Sequence, residues 1–339
     1  MRIGLDCTSC DSTRGNISSP GSACSTVAIV ENQDLTLSAN GILVVNKPEG
    51  LTSFAVVNRV KRALNLRKAG HCGTLDPFAT GVLVICINQA TRIADQLSVH
   101  DKAYRFTVQL GVETDTLDRT GQITSVCDGE APTQEELCSS LKQFMGNQVQ
   151  DVPKYAAVRV QGKHLYEWSR RGIEMSTPER EVEIHGLKLL AYEWPRATLE
   201  VHCSKGTYVR QLAADIGRVL GCGGHVLDLC RLASGPFGIG DAISINTLEE
   251  MGASGTWQRS LIAMSSALSH LPSVRIEDEG TLKRMRVGNL DSQWESENLR
   301  RFGRHGGAVR LISGDDVLEA LWWPNTTTDQ QRRLRVFHS

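Results

Sequence analysis

One stretch of the chain concentrates residues able to do chemistry: Gly70-His71-Cys72-Gly73-Thr74-Leu75-Asp76-Pro77, continuing as Phe78-Ala79-Thr80-Gly81-Val82-Leu83. Gly70, Gly73 and Pro77 break regular structure and shape a loop. The apolar run Val82 to Ile87 that follows reads as a buried strand. The loop thus holds one carboxylate, Asp76, at a fixed place beside a sheet. An aspartate before proline is most often only a turn former, so the loop alone does not make Asp76 catalytic.

A cation elsewhere bears on the question. Arg210 falls in the first turn of a helix expected over 207–220, whose apolar face is Val209, Leu212, Ala213, Ile216, Val219 and Leu220. The helix dipole is positive there, so Arg210 calls for a nearby carboxylate, and Asp76 is the candidate. Tyr104 opens a strand, Lys102 to Leu110, that alternates cleanly. Tyr104, Phe106, Val108 and Leu110 share its buried face. Core packing accounts for a tyrosine there, yet at the strand's start its ring can also stand at a cleft and meet a base. Between 154 and 171, Lys154, Arg159, Lys163, Arg170 and Arg171 interleave with Tyr155, Tyr166 and Trp168, opposed only by Glu167. That mixture suits an RNA-contacting segment, although a solvated amphipathic stretch looks similar.

The elements that must position these groups follow from pattern. Gly41 to Asn46 is a short apolar strand ended by Lys47-Pro48-Glu49-Gly50, and Thr52 or Ser53 caps a helix carrying Val56, Val57, Val60, Ala63 and Leu64 at helical spacing. Residues 89–97 suit a second helix. Thr133 and Glu136 form a capping box before Leu137, Leu141 and Phe144, with Gly146 as the stop. Asp115 and Asp118 read as turn or cap residues of a polar loop. Ala197 to Cys203 is a strand. After residue 271, short apolar pieces (Leu271 to Val274, Leu282 to Gly288, Gly307 to Ile312, Val317 to Trp323) suggest a small β-rich unit. Residues 1–40, rich in Ser, Thr, Asn and Gly, read as a flexible extension.

Composition narrows the class. With 339 residues, 40% hydrophobic and 22% charged, the chain can bury a real core over two or three domains. Its net charge of −1 argues against non-specific coating of nucleic acid but leaves room for a local basic cleft. No apolar run approaches the ~20 residues of a membrane span, and the first residues lack a secretory signal pattern. The 10 Cys have no framework spacing and read as reduced thiols of a cytoplasmic protein. Cys7 and Cys10 lack a second pair at zinc-site spacing. No zinc-deaminase pattern, P-loop or dinucleotide fingerprint occurs.

Four blocks, met in order between about residues 41 and 240, resemble the TruB-type tRNA pseudouridine synthases. They are Lys47-Pro48-x-Gly50-x-Thr52-Ser53, then His71 to Leu83. Lys102-x-Tyr104 follows, with Leu110-Gly111-x-x-Thr114-Asp115-Thr116-x-Asp118-x-x-Gly121. Last comes Cys203 to Arg210 with Gly221-x-x-Gly224-His225. Gly162-Lys163-x-Leu165-Tyr166 also matches. Arg159 stands where the family commonly has Lys, Ala156 where it has Ser, and Cys230 where many relatives have Arg.

The resemblance implies an α+β pseudouridine-synthase fold, with a central, mostly antiparallel mixed sheet flanked by helices. It implies a catalytic domain over 41–271, an RNA-binding insertion at about 147–175, and a small β-rich PUA-like RNA-binding domain over 272–339. The implied reaction isomerises uridine 55 in the T-loop of tRNA, and the substrate supplies every atom, so no cofactor or metal is called for. Asp76 would be the nucleophile and Arg210 its ionic partner. Tyr104 would stack on the flipped uracil and take up the proton released on carbon bonding. Tyr208 and the backbone near Leu229 would hold the base's edge, and His71 would fill the space the base leaves. Lys163 would grip RNA; Lys47 is counted with the substrate-binding residues, although Lys47-Pro48 is mainly architectural. A monomer acting on the tRNA T-stem-loop, away from membranes, is expected. Two alternatives remain: a catalytically silent RNA-binding or RNA-folding protein, disfavoured by intact Asp76, Tyr104, Tyr208 and Arg210, and a guide-dependent rRNA synthase, disfavoured by the insertion and the lack of a lysine-rich tail.

Overall fold

The apolar runs and alternating segments condense into one large sheet. The computed structural model describes residues 39–169, 171–173, 175–324 and 333–337. The extension expected over 1–40, with Cys7 and Cys10, lies outside the described residues except for its last two positions, as does Arg170. In chain order come β1 (Gly41–Lys47), α1 (Ser53–Ala63), β2 (Ala69–His71) and β3 (Thr80–Ile87). A 3-10 turn (Asn88–Ile93) running into a short helix (Ala94–Ser98) takes the place of the single helix expected over 89–97. There follow β4 (Lys102–Leu110), α2 (Gln134–Leu141), β5 (Gly146–Asp151), β6 (Glu179–Glu193), β7 (Arg196–Cys203), α3 (Val209–Val219), β8 (Gly224–Ser234), β9 (Ile243–Ser244) and α4 (Ile245–Ser254).

Across the sheet the order is β9-β1-β3-β8-β4-β7-β6-β5, with β2 added on β3. Only the β1–β9 and β3–β8 contacts are parallel, so the sheet is mixed and mostly antiparallel. β1 and β3 are apolar without alternation because both of their faces are covered. On one face Leu43, Val45, Leu83 and Ile85 pack on Val56, Val57 and Val60 of α1 and Leu248 of α4. On the other, Ile42, Val44, Val82 and Val84 meet a second apolar cluster. β4 alternates because only one of its faces is enclosed. Tyr104, Phe106, Val108 and Leu110 pack under Leu212, Ala213 and Ile216 of α3. Each such side chain contributes roughly 1.5–3 kcal/mol on burial, and a one-residue slip would turn all of them outward.

Local signals close the helices. Thr52 Oγ1 accepts from the Ala55 amide at 3.0 Å at the start of α1, and the Thr133–Glu136 capping box opens α2. α3 begins two residues later than expected, because Tyr208 is extended and serves as its N-cap. Its amide donates to Gln150 Oε1 of β5 at 3.0 Å. Residues 147–151 of the expected insertion thus belong to the edge of the main sheet. The remainder is a hairpin (Arg159–Val160 with Lys163–His164) and a helical turn (Leu165–Ser169) around Val152, Ala156 and Leu165.

The C-terminal unit holds β10 (Ser273–Ile276), α5 (Glu279–Arg286), α6 (Ser292–Phe302), β11 (Val309–Ser313), β12 (Leu318–Trp322) and β13 (Leu334–Val336). Its four strands run in the order β10-β11-β12-β13. The two helices go beyond the strands read from sequence. Asp278 and Asp291 cap them, accepting from the amides of Thr281 and of Gln293 and Trp294. Ile312, Leu318, Leu321 and Phe337 share one cluster with Ile42, Val44 and Met264, so this unit is seated directly on the large sheet.

Candidate active site

The segment between β2 and β3 is held at every turn. Ser53 Oγ donates to the Leu75 carbonyl at 3.1 Å and accepts from the Leu75 amide at 2.8 Å. The Gly50 amide and the Lys47 ammonium donate to the Pro77 carbonyl at 2.8 and 3.0 Å. Leu75 and Phe78 are buried in the same cluster as Tyr104. Asp76 is therefore gripped between two apolar anchors and its carboxylate is aimed outward, into a cavity of about 320 Å³. That is the low end of ordinary ligand pockets, ~300–1,000 Å³. Tyr104, Tyr208, Arg210, Leu229 and Arg231 also line it.

Arg210 gathers four segments. Its Nε lies 2.9 Å from Asp76 Oδ2, out of line for a straight hydrogen bond, and its Nη2 donates to Asp76 Oδ1 at 3.3 Å. Nη1 donates to the Thr116 carbonyl and Nη2 to the Tyr155 carbonyl, both at 3.0 Å. Asp118 Oδ2 stands 3.7 Å from Nη1. The carboxylate that the first turn of α3 calls for is thus present, and a second one backs it. Asp118 is both the loop cap read from sequence, accepting from the Thr120 amide at 2.9 Å, and a buried neighbour of Arg210.

The electrostatics follow from enclosure. Burial raises the Asp76 carboxyl above its usual range; Arg210 pulls it down, Asp118 pushes it up and Lys47 pulls it down. A third of its side chain faces the cavity, so the carboxylate is enclosed by protein yet open to a ligand. Burial also pushes the Tyr104 phenol up, with Arg231 opposing, and it raises Tyr208. Both rings are neutral at ordinary pH. Burial draws the Lys47 ammonium down to about 8, against the pull of Asp76 and Glu49.

The other residues singled out from sequence fall into two groups. Tyr208 and Leu229 join Asp76, Tyr104 and Arg210 at the cavity. Lys47, His71 and Lys163 do not line it. Lys47 is 0% exposed and its ammonium is bound to the carbonyls of Pro48 and Pro77. It lies beneath the loop, a position that makes it architectural instead of substrate-facing. His71 is half-buried on β2, where burial and then Arg231 hold its imidazole below its ordinary pKa. Lys163 stands over the Trp168 ring at 5.0 Å on the insertion. Sequence reasoning did not single out Arg180, Lys205 or Arg231, all of which line the cavity. Lys205 falls inside the last motif block and Arg231 follows Cys230, whereas Arg180, on β6, carries no motif signal. Among the described residues no His, Cys, Asp and Glu cluster is spaced to hold a metal ion, and no helix is long and apolar enough to cross a membrane.

Comparison with known proteins bears on this geometry. Residues 61–209 match the model of the TruB family pseudouridylate synthase N-terminal domain, and residues 210–269 match the tRNA pseudouridylate synthase B C-terminal domain. The junction between the two matches falls inside α3, beside Arg210. A tRNA pseudouridine synthase B of Syntrophobacter fumaroxidans is 56% identical, covering 88% of this chain and 97% of that protein. The same-named protein of Geobacter sulfurreducens is 38% identical over 88% of this chain and 100% of its own length. Among solved structures, a chain of a Cbf5-Nop10-Gar1 complex superposes with a TM-score of 0.63 at 24% identity, covering 88% of this chain and 84% of that one. That likeness speaks for the fold alone. Two family models meeting at the ion-paired helix, and relatives matched along nearly their whole length, show that the chain belongs to the TruB family of pseudouridylate synthases.

Proposed function

We propose that the protein isomerises uridine 55 in the T-loop of tRNA to pseudouridine, with the Asp76 carboxylate as nucleophile. The observation that carries this reading is the Asp76–Arg210 pair at the wall of a cavity shared with Tyr104 and Tyr208. The reaction breaks the N-glycosidic bond, turns the base and rejoins it through carbon. One proton leaves the carbon and one is gained at nitrogen, so the balance closes without a cofactor. The chain must therefore supply a nucleophile, a pocket for an extruded base and a grip on folded RNA. Arg210 keeps Asp76 ionised against the cost of its burial and fixes its orientation. Tyr104 presents a neutral ring to the uracil. Since enclosure holds its phenol protonated, it takes up a proton only by passing its own onward. Tyr208 and Leu229 bound the base on the other sides. His71 enters the space the base leaves in the RNA, and Lys163 and the 147–175 segment bear on the T-stem-loop. The unit over 272–339 adds affinity in the manner of a PUA domain, and the enzyme works as a cytoplasmic monomer.

The test uses two tRNA transcripts, one with uridine and one with cytidine at position 55. Chemical mapping after incubation should find pseudouridine at that position in the first and none in the second. Modification confined to other positions, or none at all, would overturn the assignment.

A further inference from the structure

Arg231 is a cation placed where charge is costly. It is 1% exposed and stands on β8, directly opposite Tyr104 of β4 and Gly81 of β3. Taking a guanidinium out of water is unfavourable unless its donors are satisfied, and an apolar side chain of similar size would fill the space at less cost. The two carboxylates of the site are paired with Arg210; Arg231 is met by backbone instead. Nε donates to the Val82 carbonyl at 2.6 Å, Nη2 to Gly73 at 3.2 Å and Nη1 to Thr74 at 3.5 Å. Across the strand pair it faces Tyr104, and both residues line the cavity.

Those acceptors sit at both ends of one loop. Gly73 and Thr74 precede Asp76, and Val82 follows it. On the neighbouring strand the residue opposite is Tyr104, whose ring lines the cavity. Close approach of the strands fixes the arrangement from below: Gly81 has φ +99°, and a Cβ there would lie 2.3 Å from the Arg231 carbonyl oxygen. Lys47 secures the Pro77 side of the same loop and Ser53 holds Leu75; Arg231 adds the grip on Gly73 and Thr74 ahead of them.

We infer that Arg231 is a positioning residue of the active site, tying the Asp76 loop to the strand that faces Tyr104 and so setting the distance between nucleophile and stacking ring. The inference rests on the roles proposed above for Asp76 and Tyr104. It assigns no contact between Arg231 and the reacting atoms. Its effect belongs in the rate of the bound complex and not in RNA affinity.

The experiment compares wild type, Arg231→Lys and Arg231→Met by single-turnover rate on saturating tRNA transcript, by tRNA affinity and by melting temperature. Lysine keeps the charge but cannot span three carbonyls, and a misplacement of about 1 Å costs on the order of 100-fold in rate. That loss is expected in Arg231→Lys, with a larger one in Arg231→Met, while tRNA affinity stays within about twofold. In a Tyr104→Ala background the Arg231→Lys loss should shrink by about tenfold, because there is no longer a ring whose distance from Asp76 it sets. A merely structural residue would move melting temperature and leave rate and coupling alone. An active wild type with an undiminished lysine variant overturns this inference only. Unfolding of both variants, or effects fully additive with Tyr104→Ala, also overturns it. An inactive wild type overturns the functional reading and this inference with it.

Discussion

At the cavity, Arg210 of α3 and Arg231 of β8 are 4% and 1% exposed and grip carboxylates and loop carbonyls, whereas in the C-terminal unit Arg275, Arg284 and Arg333 reach Asp316, Asp291 and Glu295 across open surface. The side chains of those three arginines are 41%, 48% and 47% exposed. Pairs of the second kind are screened by water and contribute only about 0–1 kcal/mol. Breaking a buried pair by removing one partner costs roughly 3–5 kcal/mol, although the pair itself adds little net stability. The contrast shows where charge is kept for geometry: a buried arginine is a poor way to stabilise a fold and a good way to fix a carboxylate.

The contrast can be broken first at Arg210. Arg210→Met should lose on the order of 10³-fold in rate, the usual scale for removing one buried electrostatic contact, while the protein remains folded. A large drop in melting temperature without loss of rate would make Arg210 structural. The pH profile sharpens the same test. The rate needs the Asp76 carboxylate, which is present above its pKa and lost as pH falls through it. That pKa is already raised by burial, and Arg210 opposes the rise. Removing the cation should therefore move the acid limb of residual activity to higher pH. An unmoved limb would separate the two groups.

Tyr104 comes next in size. Tyr104→Phe keeps the ring, so tRNA should bind as before and react slowly. Tyr104→Ala also removes the stacking platform, worth roughly 1–3 kcal/mol per base, and should fall in both affinity and rate. Full activity in the phenylalanine variant would leave the ring alone with a role; full activity in the alanine variant would return Tyr104 to the core.

The smallest effect belongs to the exposed pairs. Arg275→Ala should change stability by about 0.5 kcal/mol or less in thermal or urea unfolding and leave the rate on tRNA untouched. A loss of several degrees in melting temperature would show that the surface arginines of this unit are not as solvated as their exposure implies.

Much of this was legible because it is written locally. The alternation of Lys102 to Leu110 fixed a strand and its buried face, and the Thr133–Glu136 box fixed a helix start. A cation at the positive end of α3 demanded a carboxylate. What escaped depends on distance along the chain. Asp118 reads as a polar loop residue until that loop folds against a helix more than ninety positions onward. Lys47 reads as mainly architectural, but its partner, the Pro77 carbonyl thirty positions on, shows only once the loop closes over it. Arg231 looks like a motif companion, since no local pattern reports a side chain that crosses beneath a loop. The helices α5 and α6 had a signal that charge obscured: Asp278 and Asp291 are N-caps, and Leu282 with Met285 and Trp294 with Phe302 mark the inward faces. The break between residues 271 and 272 follows a change in sequence grammar, while the packing of Leu318, Leu321 and Phe337 onto the large sheet runs across it.

The central claim, that a carboxylate held on a clamped loop does the chemistry, is tested most directly by single-turnover conversion of tRNA transcript with Asp76→Asn, measured alongside its tRNA affinity. The amide preserves the shape of the loop and removes only the nucleophile. The account predicts no detectable pseudouridine and an affinity close to that of wild type. Residual turnover above a few per cent of the wild-type rate would contradict it and remove Asp76 from the role.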